Sequence, residues 1–329
     1  MAQAVGADMR RREFVGLLGG ALSFPIAAHA QEAGRIYRLG LLVPAARGSA
    51  AINAFFEELR LHGFIEGQNL IVTGGFGVSG EQIADGAAAL VKQEPDAIVV
   101  GPERYTRACQ ALTRTIPLNS MSEDLVAEGL VASLAKPGGN TTGISLLSPE
   151  LDGKRQEILI EAVPGIRRIA ALADTKIVQQ RHLQELQEAA RSRGVELSVF
   201  TASKTEEISP ALDAAKAGGA EAINFLATPL QVVNLSLILK HISSLRLPAA
   251  YQWPDSADQG GFIGYGPRFA HVYRQRARQV VKILRGVKPA DLPVEQPSTF
   301  ELVINLKTAK SIGHEVPAGL VLRADTVIE

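Results

Sequence analysis

Short apolar runs alternate with longer stretches of helical spacing along most of the chain. Tyr37 to Val43 (YRLGLLV) reads as a first strand. Ser49 to His62 then places Ile52, Phe55, Phe56 and Leu59 along one helix face. Leu70 to Thr73 predicts a second strand, Glu81 to Gln93 a helix, and Ala97 to Val100 a third strand. Arg104 to Arg114 predicts a helix and Ile116 to Asn119 a short strand. The strand runs are apolar throughout and rich in β-branched residues, as in a parallel sheet covered on both faces.

The pattern restarts after Lys136-Pro137-Gly138-Gly139-Asn140. Leu151 to Val163 is helical, Arg168 to Ala173 a strand, Gln179 to Arg193 helical and Val195 to Thr201 a strand. Glu206 to Ala217 is helical, Ala222 to Leu226 a strand, Val232 to Leu245 helical and Pro248 to Tyr251 a strand. Two α/β units therefore sit in tandem, joined near Thr141 to Leu147 with no low-complexity linker, which predicts two lobes connected by short crossovers. The tail has a glycine-punctuated stretch at Gly260 to Gly266, a helix from Phe269 to Leu284, prolines at 289, 293 and 297, and a strand from Phe300 to Ile304. One helix and one strand cannot bury a core of their own, so they are expected to dock back onto the lobes. The expected fold class is α/β, with two Rossmann-like lobes, each on a parallel sheet, joined by a multi-stranded hinge. The N-terminal lobe is expected over 36–144 plus about 267–292, and the C-terminal lobe over 145–266 plus about 298–329.

The first 30 residues read as an export signal. Arg10-Arg11-Arg12-Glu13-Phe14-Val15 is a twin-arginine pattern, Gly16 to Ala28 is uncharged and mildly apolar, and Ala28-His29-Ala30 is a small-residue cleavage site. The uncharged stretch is shorter than the roughly 20 apolar residues of a membrane span, and it carries Ser23, Pro25 and several glycines. The expectation is a chain exported by the Tat route, cut after Ala30 and free in the periplasm rather than embedded in the membrane. Met9 is a second candidate start.

Charge and cysteine content narrow the partners. The 34 basic residues equal the 34 acidic ones, and no basic patch suited to phosphates appears, which argues against a nucleic-acid partner. Cys109 is the single cysteine, so no internal disulfide forms and the core must hold the fold. A monomer is expected. In open parallel sheets ligands sit outside the carboxyl ends of the strands, and two lobes facing each other would put both sets of ends on one cleft that hinge closure buries.

Two stretches carry a family resemblance. Gly129 to Gly143 (GLVASLAKPGGNTTG) is similar to a GLVASLARPGGNVTG signature. Phe300 to Lys310 (FELVINLKTAK) with Arg323-Ala324-Asp325 is similar to an FELVINLKTAK…RAD tail. The leader from Arg10 to Gly20 resembles MRRREF…LLGG leaders. The family is the ABC transporter substrate-binding proteins of the tryptophan/tyrosine-binding type. The resemblance implies a class I periplasmic binding fold, no catalysis, and delivery of a small solute to an inner-membrane ABC permease, an aromatic amino acid or related acid being the class it suggests. The chain departs from that pattern in two places. Asp174-Thr175 stands where many relatives have Asn-Pro, and Gln252-Trp253-Pro254-Asp255 where many have a charged Arg-Glu segment. Both are expected to face the cleft, so the relatives' ligand does not carry over.

Gly74 to Gly80 (GGFGVSG) raises an alternative, because Gly75 to Gly80 fits G-x-G-x-x-G between a strand and a helix. An exported nucleotide-dependent α/β enzyme would use it. Against that, the motif follows the second strand, and Glu81 and Asp85 would repel a pyrophosphate at that helix start. A weaker third reading is a ligand sensor docking on a membrane kinase. The six histidines are scattered, and no H-E-x-x-H, G-x-S-x-G or Walker sequence occurs, so no catalytic residue, metal set or cofactor is expected.

Strand-end loops supply the expected ligand-binding residues. In the first lobe these are Pro44, Ala46, Arg47, Phe76, Gly101, Pro102, Glu103, Ser120 and Met121; in the second Thr175, Thr228 and Tyr251; in the crossovers Ser145 and Tyr265. Ser120, Ser145 and Thr175 suit a carboxylate, as does the Arg47 fork. Glu103 or Asp174 suits an ammonium. Tyr251, Trp253, Phe76 and Tyr265 suit a ring or a cation. The plainer reading of Arg47 is a solvated loop arginine, and of Phe76 and Tyr265 core packing.

Overall fold

The computed structural model describes residues 34–146, 151–174, 176 and 178–329. The expected export signal and Thr175 lie outside the described residues. Residues 36–329 form one unit, to which everything below refers.

The first sheet is built from β1 (Tyr37–Val43), β2 (Leu70–Phe76), β3 (Ala97–Val100), β4 (Leu118–Ser122) and β5 (Thr141–Ser145), in the spatial order β2-β1-β3-β4-β5. All its pairs are parallel. Between the strands run α1 (Ala50–Leu61), α2 (Gln82–Val91) and α3 (Glu103–Leu112). Alternation along β1 sends Leu39, Leu41 and Val43 into the cluster shared with Phe55 and Leu59 of α1, and Leu42 into the cluster under α2 and α3. Ser49 starts α1 by accepting the Ile52 N–H at 3.4 Å.

The second half repeats the design. After α4 (Asp152–Ala162) come β6 (Arg168–Ala173), α5 (Gln180–Ser192), β7 (Glu196–Thr201), α6 (Thr205–Ala217) and β8 (Ala222–Phe225). Then follow α7 (Pro229–Val233), α8 (Leu235–Leu245), β9 (Ala249–Tyr251), α9 (Pro254–Asp258) and β10 (Ile263–Gly266). The order β7-β6-β8-β9-β10 matches that of the first sheet. α10 (Phe269–Leu284) leads to β11 (Glu301–Asn305), α11 (Leu306–Ile312), α12 (Ala318–Val321) and β12 (Thr326–Ile328). β11 extends the second sheet antiparallel to β10, and β12 pairs parallel with β11.

Several expected elements change. The helix expected from Val232 is two, because the chain breaks at Asn234 between α7 and α8. The expected joint at Thr141 to Leu147 begins with a strand, β5, and the glycine-punctuated stretch contains another, β10.

α10 packs on α1 and on β3, β4 and β5 rather than on the second sheet. Its anchor is polar. Arg276 is fully buried, with Nε on Asn119 Oδ1 at 3.1 Å and Nη2 on the carbonyls of Val100 and Asn119 at 2.6 and 2.9 Å. Gln279 accepts from Asn119 Nδ2 at 2.9 Å and donates to the Gly143 carbonyl at 3.1 Å. Beyond α10, Glu295 lies beside β5: its N–H reaches the Gly143 carbonyl at 3.0 Å and its carbonyl accepts the Ser145 N–H at 2.9 Å. The chain thus passes between the sheets after β5, again between β10 and α10, and again between Glu295 and β11.

Candidate functional site

A cleft of about 560 Å³ opens where the carboxyl ends of both sheets meet. The first sheet contributes Pro44, Ala45, Ser49, Ala50 and Ala51 after β1, Gly77 and Ser79 after β2, and Pro102 after β3. Met121, Ser122 and Glu123 at the end of β4 and Leu146 after β5 complete that wall. From the second sheet come Pro229, Val232 and Val233 of α7, and Trp253, Asp255 and Gln259 after β9. Phe269 and Tyr273 of α10 close the hinge side. Loops at strand ends are where open α/β sheets place ligands, and the volume suits a small molecule.

Trp253 decides the shape of the hinge side. It follows β9 yet packs in the first sheet's cluster with Met121 and Tyr273. Its indole stacks on Phe269 with centroids 3.7 Å apart and planes 15° apart. Next to it, Gln252 Nε2 donates to Glu123 Oε1 at 3.0 Å, which ties the two sheets' loops together. Gln252 Oε1 and Trp253 Nε1 are both buried without a hydrogen-bond partner.

Behind the Trp253–Phe269 stack a recess of about 30 Å³ adjoins the cleft and shares Val232, Trp253, Asp255, Gln259 and Phe269 with it. Tyr251, Gln252 and Phe225 form its inner wall, where Tyr251 and Phe225 stack at 5.0 Å. Burial pushes the Asp255 carboxyl up, against the Phe269 N–H, which donates to Oδ2 at 3.2 Å, and the charge of Arg268. Burial also pushes the Tyr251 and Tyr273 phenols up, so both hydroxyls stay protonated. The first turn of α1 faces the cleft through Ser49, Ala50 and Ala51, bringing backbone N–H groups suited to an anionic or carbonyl oxygen.

Of the expected site residues, the structure gathers Pro44, Pro102 and Met121 on the cleft and Tyr251 on the recess. Others lie in the same loops but turn elsewhere. Ala46 is exposed beside Ala45. Arg47 pairs with Glu66 at 2.5 Å and lies over the rings of Phe56 and Phe76 at 5.6 and 5.1 Å, so its fork is already engaged. Phe76 packs on Phe56. Gly101 is buried where a Cβ would meet Pro44 and Tyr105. Glu103 pairs with Arg107 at 2.7 Å. Ser120 bonds Thr106 Oγ1 at 2.7 Å inside the first lobe. Ser145 accepts the Leu125 N–H at 3.2 Å and donates to the Glu123 carbonyl at 3.4 Å, shaping the Glu123 loop from behind. Thr228 is buried at the start of α7, and Pro229 is the residue that reaches the cleft. Tyr265 packs on the second core, its carbonyl accepting Arg155 Nε at 3.0 Å.

Residues the pattern did not single out form much of the wall: Glu123, Val232, Phe269 and Tyr273. Trp253 and Asp255 belong to the Gln252–Asp255 segment expected to face the cleft, and both line it.

The glycine stretch resolves on the same geometry. Gly74 has φ +113°, and a Cβ there would lie 2.1 Å from the Leu41 carbonyl oxygen, so it serves the close approach of β2 to β1. The G-x-G-x-x-G run follows β2, at the edge of the sheet, whereas the topological switch lies between β1 and β3. Gly77 and Ser79 instead form part of the cleft wall. The nucleotide reading gains no support.

The family described as ABC transporter substrate binding protein matches residues 50–328. The chain belongs to this family. Among curated proteins, a tyrosine-binding protein of Clostridioides difficile (strain R20291) is 24% identical over 229 residues, covering 69% of this chain and 65% of that protein. The match therefore spans a little under two thirds of that relative's length. Among solved structures, a conserved domain protein from Vibrio cholerae superposes with TM-score 0.79 at 23% identity, covering 89% of this chain and 100% of the other. The ABC domain of Streptococcus pneumoniae in complex with L-Trp superposes with TM-score 0.77 at 22% identity and the same coverages. An ABC transporter solute binding protein from Agrobacterium vitis with bound allitol superposes at TM-score 0.56 and 14% identity, covering 84% of this chain and 98% of that one. These likenesses show the two-lobed, periplasmic-binding-type α/β fold of the family.

Proposed function

We propose that this substrate-binding protein is the solute receptor of an ABC importer. It captures one small molecule in the cleft between its sheets, closes over it and hands it unchanged to an inner-membrane permease. The observation that carries this reading is the cleft of about 560 Å³ framed by strand-end loops of both sheets. An aromatic amino acid or related acid is the class suggested by the aromatic hinge wall of Trp253, Phe269 and Tyr273, and by the tyrosine and L-Trp in the descriptions of the relatives. In this reading residues 1–30 are a Tat-type signal removed after Ala30, and the mature chain works in the periplasm as a monomer. The lobes are 36–144 with about 267–292, and 145–266 with about 298–329, and α10 rides with the first.

Thermal shift with a metabolite set, followed by mass spectrometry of the mixture, tests the reading. A receptor is stabilised by about 2.7 kcal/mol at a ligand concentration 100 times its dissociation constant, and the ligand is recovered unaltered. Trp253 is the only tryptophan, so its emission reports the same event from inside the cleft. Stabilisation by a nicotinamide nucleotide alone, with turnover of a co-substrate, would contradict it.

A further inference from the structure

The cleft and its recess carry an unbalanced set of polar groups. Glu123 and Asp255 supply carboxylates from opposite lobes, whereas the described residues lining the two spaces include no Lys, Arg or His. Arg268, which acts on Asp255 electrostatically, spends its guanidinium on Asp258 and, at 2.6 Å, on Glu301. Gln252 is 3% exposed. With its Nε2 on Glu123, its Oε1 remains a buried acceptor with no donor. A buried acceptor of this kind calls for a donor in its neighbourhood.

We infer that the recess lined by Gln252 and Asp255 behind the Trp253–Phe269 stack is an ammonium seat, and that the solute is an apolar or aromatic amine. This rests on the receptor reading and narrows it: an amine is required, and a free carboxylate is not. A space of about 30 Å³ accommodates a group the size of one or two waters, which suits an ammonium. Three N–H donors can then meet the Gln252 carbonyl and the Asp255 carboxylate, with the Tyr251, Trp253 and Phe269 rings supplying π faces. The positive charge also relieves the burial that pushes Asp255 up. The amine's apolar body extends past Trp253 into the cleft, against Val232, Met121 and Leu146. Trp253 Nε1, the buried indole donor left without an acceptor, asks for an oxygen or nitrogen acceptor on that body. A carboxylate finds only neutral donors, such as the Ser49, Ser79 and Tyr273 hydroxyls, Trp253 Nε1 and the N–H groups of the first turn of α1, with no cationic side chain to balance its charge.

Matched probes test this on the full mature chain. One set is tryptamine, L-tryptophan and indole-3-propionate; the other is isoamylamine, L-leucine and 4-methylpentanoate. In the set that binds, the amine and the zwitterion should raise the melting temperature and the acid should not. Asp255→Asn keeps an acceptor for the Phe269 N–H, and should weaken the amine by about 30-fold or more while the unliganded fold stays intact by circular dichroism. Glu123→Gln, on the other lobe, is the second variant and should weaken the same probes. An acid that binds as well as its amine, an unchanged amine affinity in both variants, or no response in either set overturns the inference. If a solute lacking an amine then copurifies with the wild type, the receptor reading stands alone; if no solute of any class binds, both fail.

Discussion

Gln252 Nε2 donates to Glu123 Oε1 across 3.0 Å, so a side chain after β9 of one sheet holds a carboxylate after β4 of the other. Both residues are buried. A hydrogen bond to a charged acceptor contributes about 1.5–3 kcal/mol. Gln252→Leu should therefore let the unliganded protein open wider, seen as a larger radius of gyration in solution scattering, and weaken solute binding by roughly tenfold. An unchanged radius would show that this bond does not govern the opening.

Two glycines hold the first sheet together at close backbone approach. A Cβ at Gly143 (φ +153°) would lie 1.9 Å from the Ser120 carbonyl oxygen, and one at Gly74 2.1 Å from that of Leu41. Neither neighbour is a side chain that can swing aside. Gly143→Ala and Gly74→Ala should each destabilise by several kcal/mol, on the order of 3 or more, in urea titration. Gly139→Ala, with nothing within 4 Å and no positive φ, is the neutral control.

Glu128 is the group expected to make stability depend on pH. Burial pushes its carboxyl up from 4.5 to about 7, helped by Glu103 and Glu123, while bonds from Ser122 and the Asp124 N–H oppose the shift. A carboxyl raised in the folded state holds its proton more tightly there than in the unfolded chain. Stability is then highest at acid pH and declines as pH rises from about 4.5 to 7. Glu128→Gln should flatten this decline and melt higher than the wild type at pH 8, with little gain at pH 4.5. Parallel melting curves across that range for both proteins would contradict the assignment.

Arg276 is a buried cation held by main-chain oxygens. Burial lowers its pKa, and its donors satisfy the carbonyls of Val100 and Asn119. Arg276→Met leaves those oxygens without donors and should cost about 3–5 kcal/mol, read as a lower urea midpoint. Because Tyr273 lies one turn away on α10 and faces the cleft, solute affinity should fall with it. A neutral substitution would mean that the Gln279 bonds and apolar packing fix α10 to the sheet without Arg276.

Where the chain could be read locally, the reading and the structure coincide. Tyr37 to Val43, Ala97 to Val100 and Arg168 to Ala173 are strands over the same residues in both, because buried parallel strands carry their signal in their own apolar runs. β5 (TTGIS) and β10 (IGYG) have too few apolar residues for that, and owe their strand state to neighbours distant in sequence, β4 for one and β9 with β11 for the other. The cleft divides in the same way. Loops at strand ends pointed to Pro44, Pro102 and Met121, but not to which side chain of a loop turns inward. Ser120 and Met121 are adjacent on β4 and alternate, one toward Thr106 and the other toward the cleft. Phe269 and Tyr273 reach the wall only because α10 crosses back to the first sheet, a non-local event fixed by the Arg276 and Gln279 network.

The central claim is that the two sheets close on one small molecule, and an interlobe distance measures it most directly. Cys109 is buried, so cysteines introduced at exposed Glu81 at the start of α2 and exposed Ser236 on α8 can be spin-labelled selectively. Double electron–electron resonance should give a broad distribution without solute. It should give a shorter, narrower one when the solute recovered by mass spectrometry is added back. A distribution that stays the same while that solute binds stoichiometrically would contradict the account.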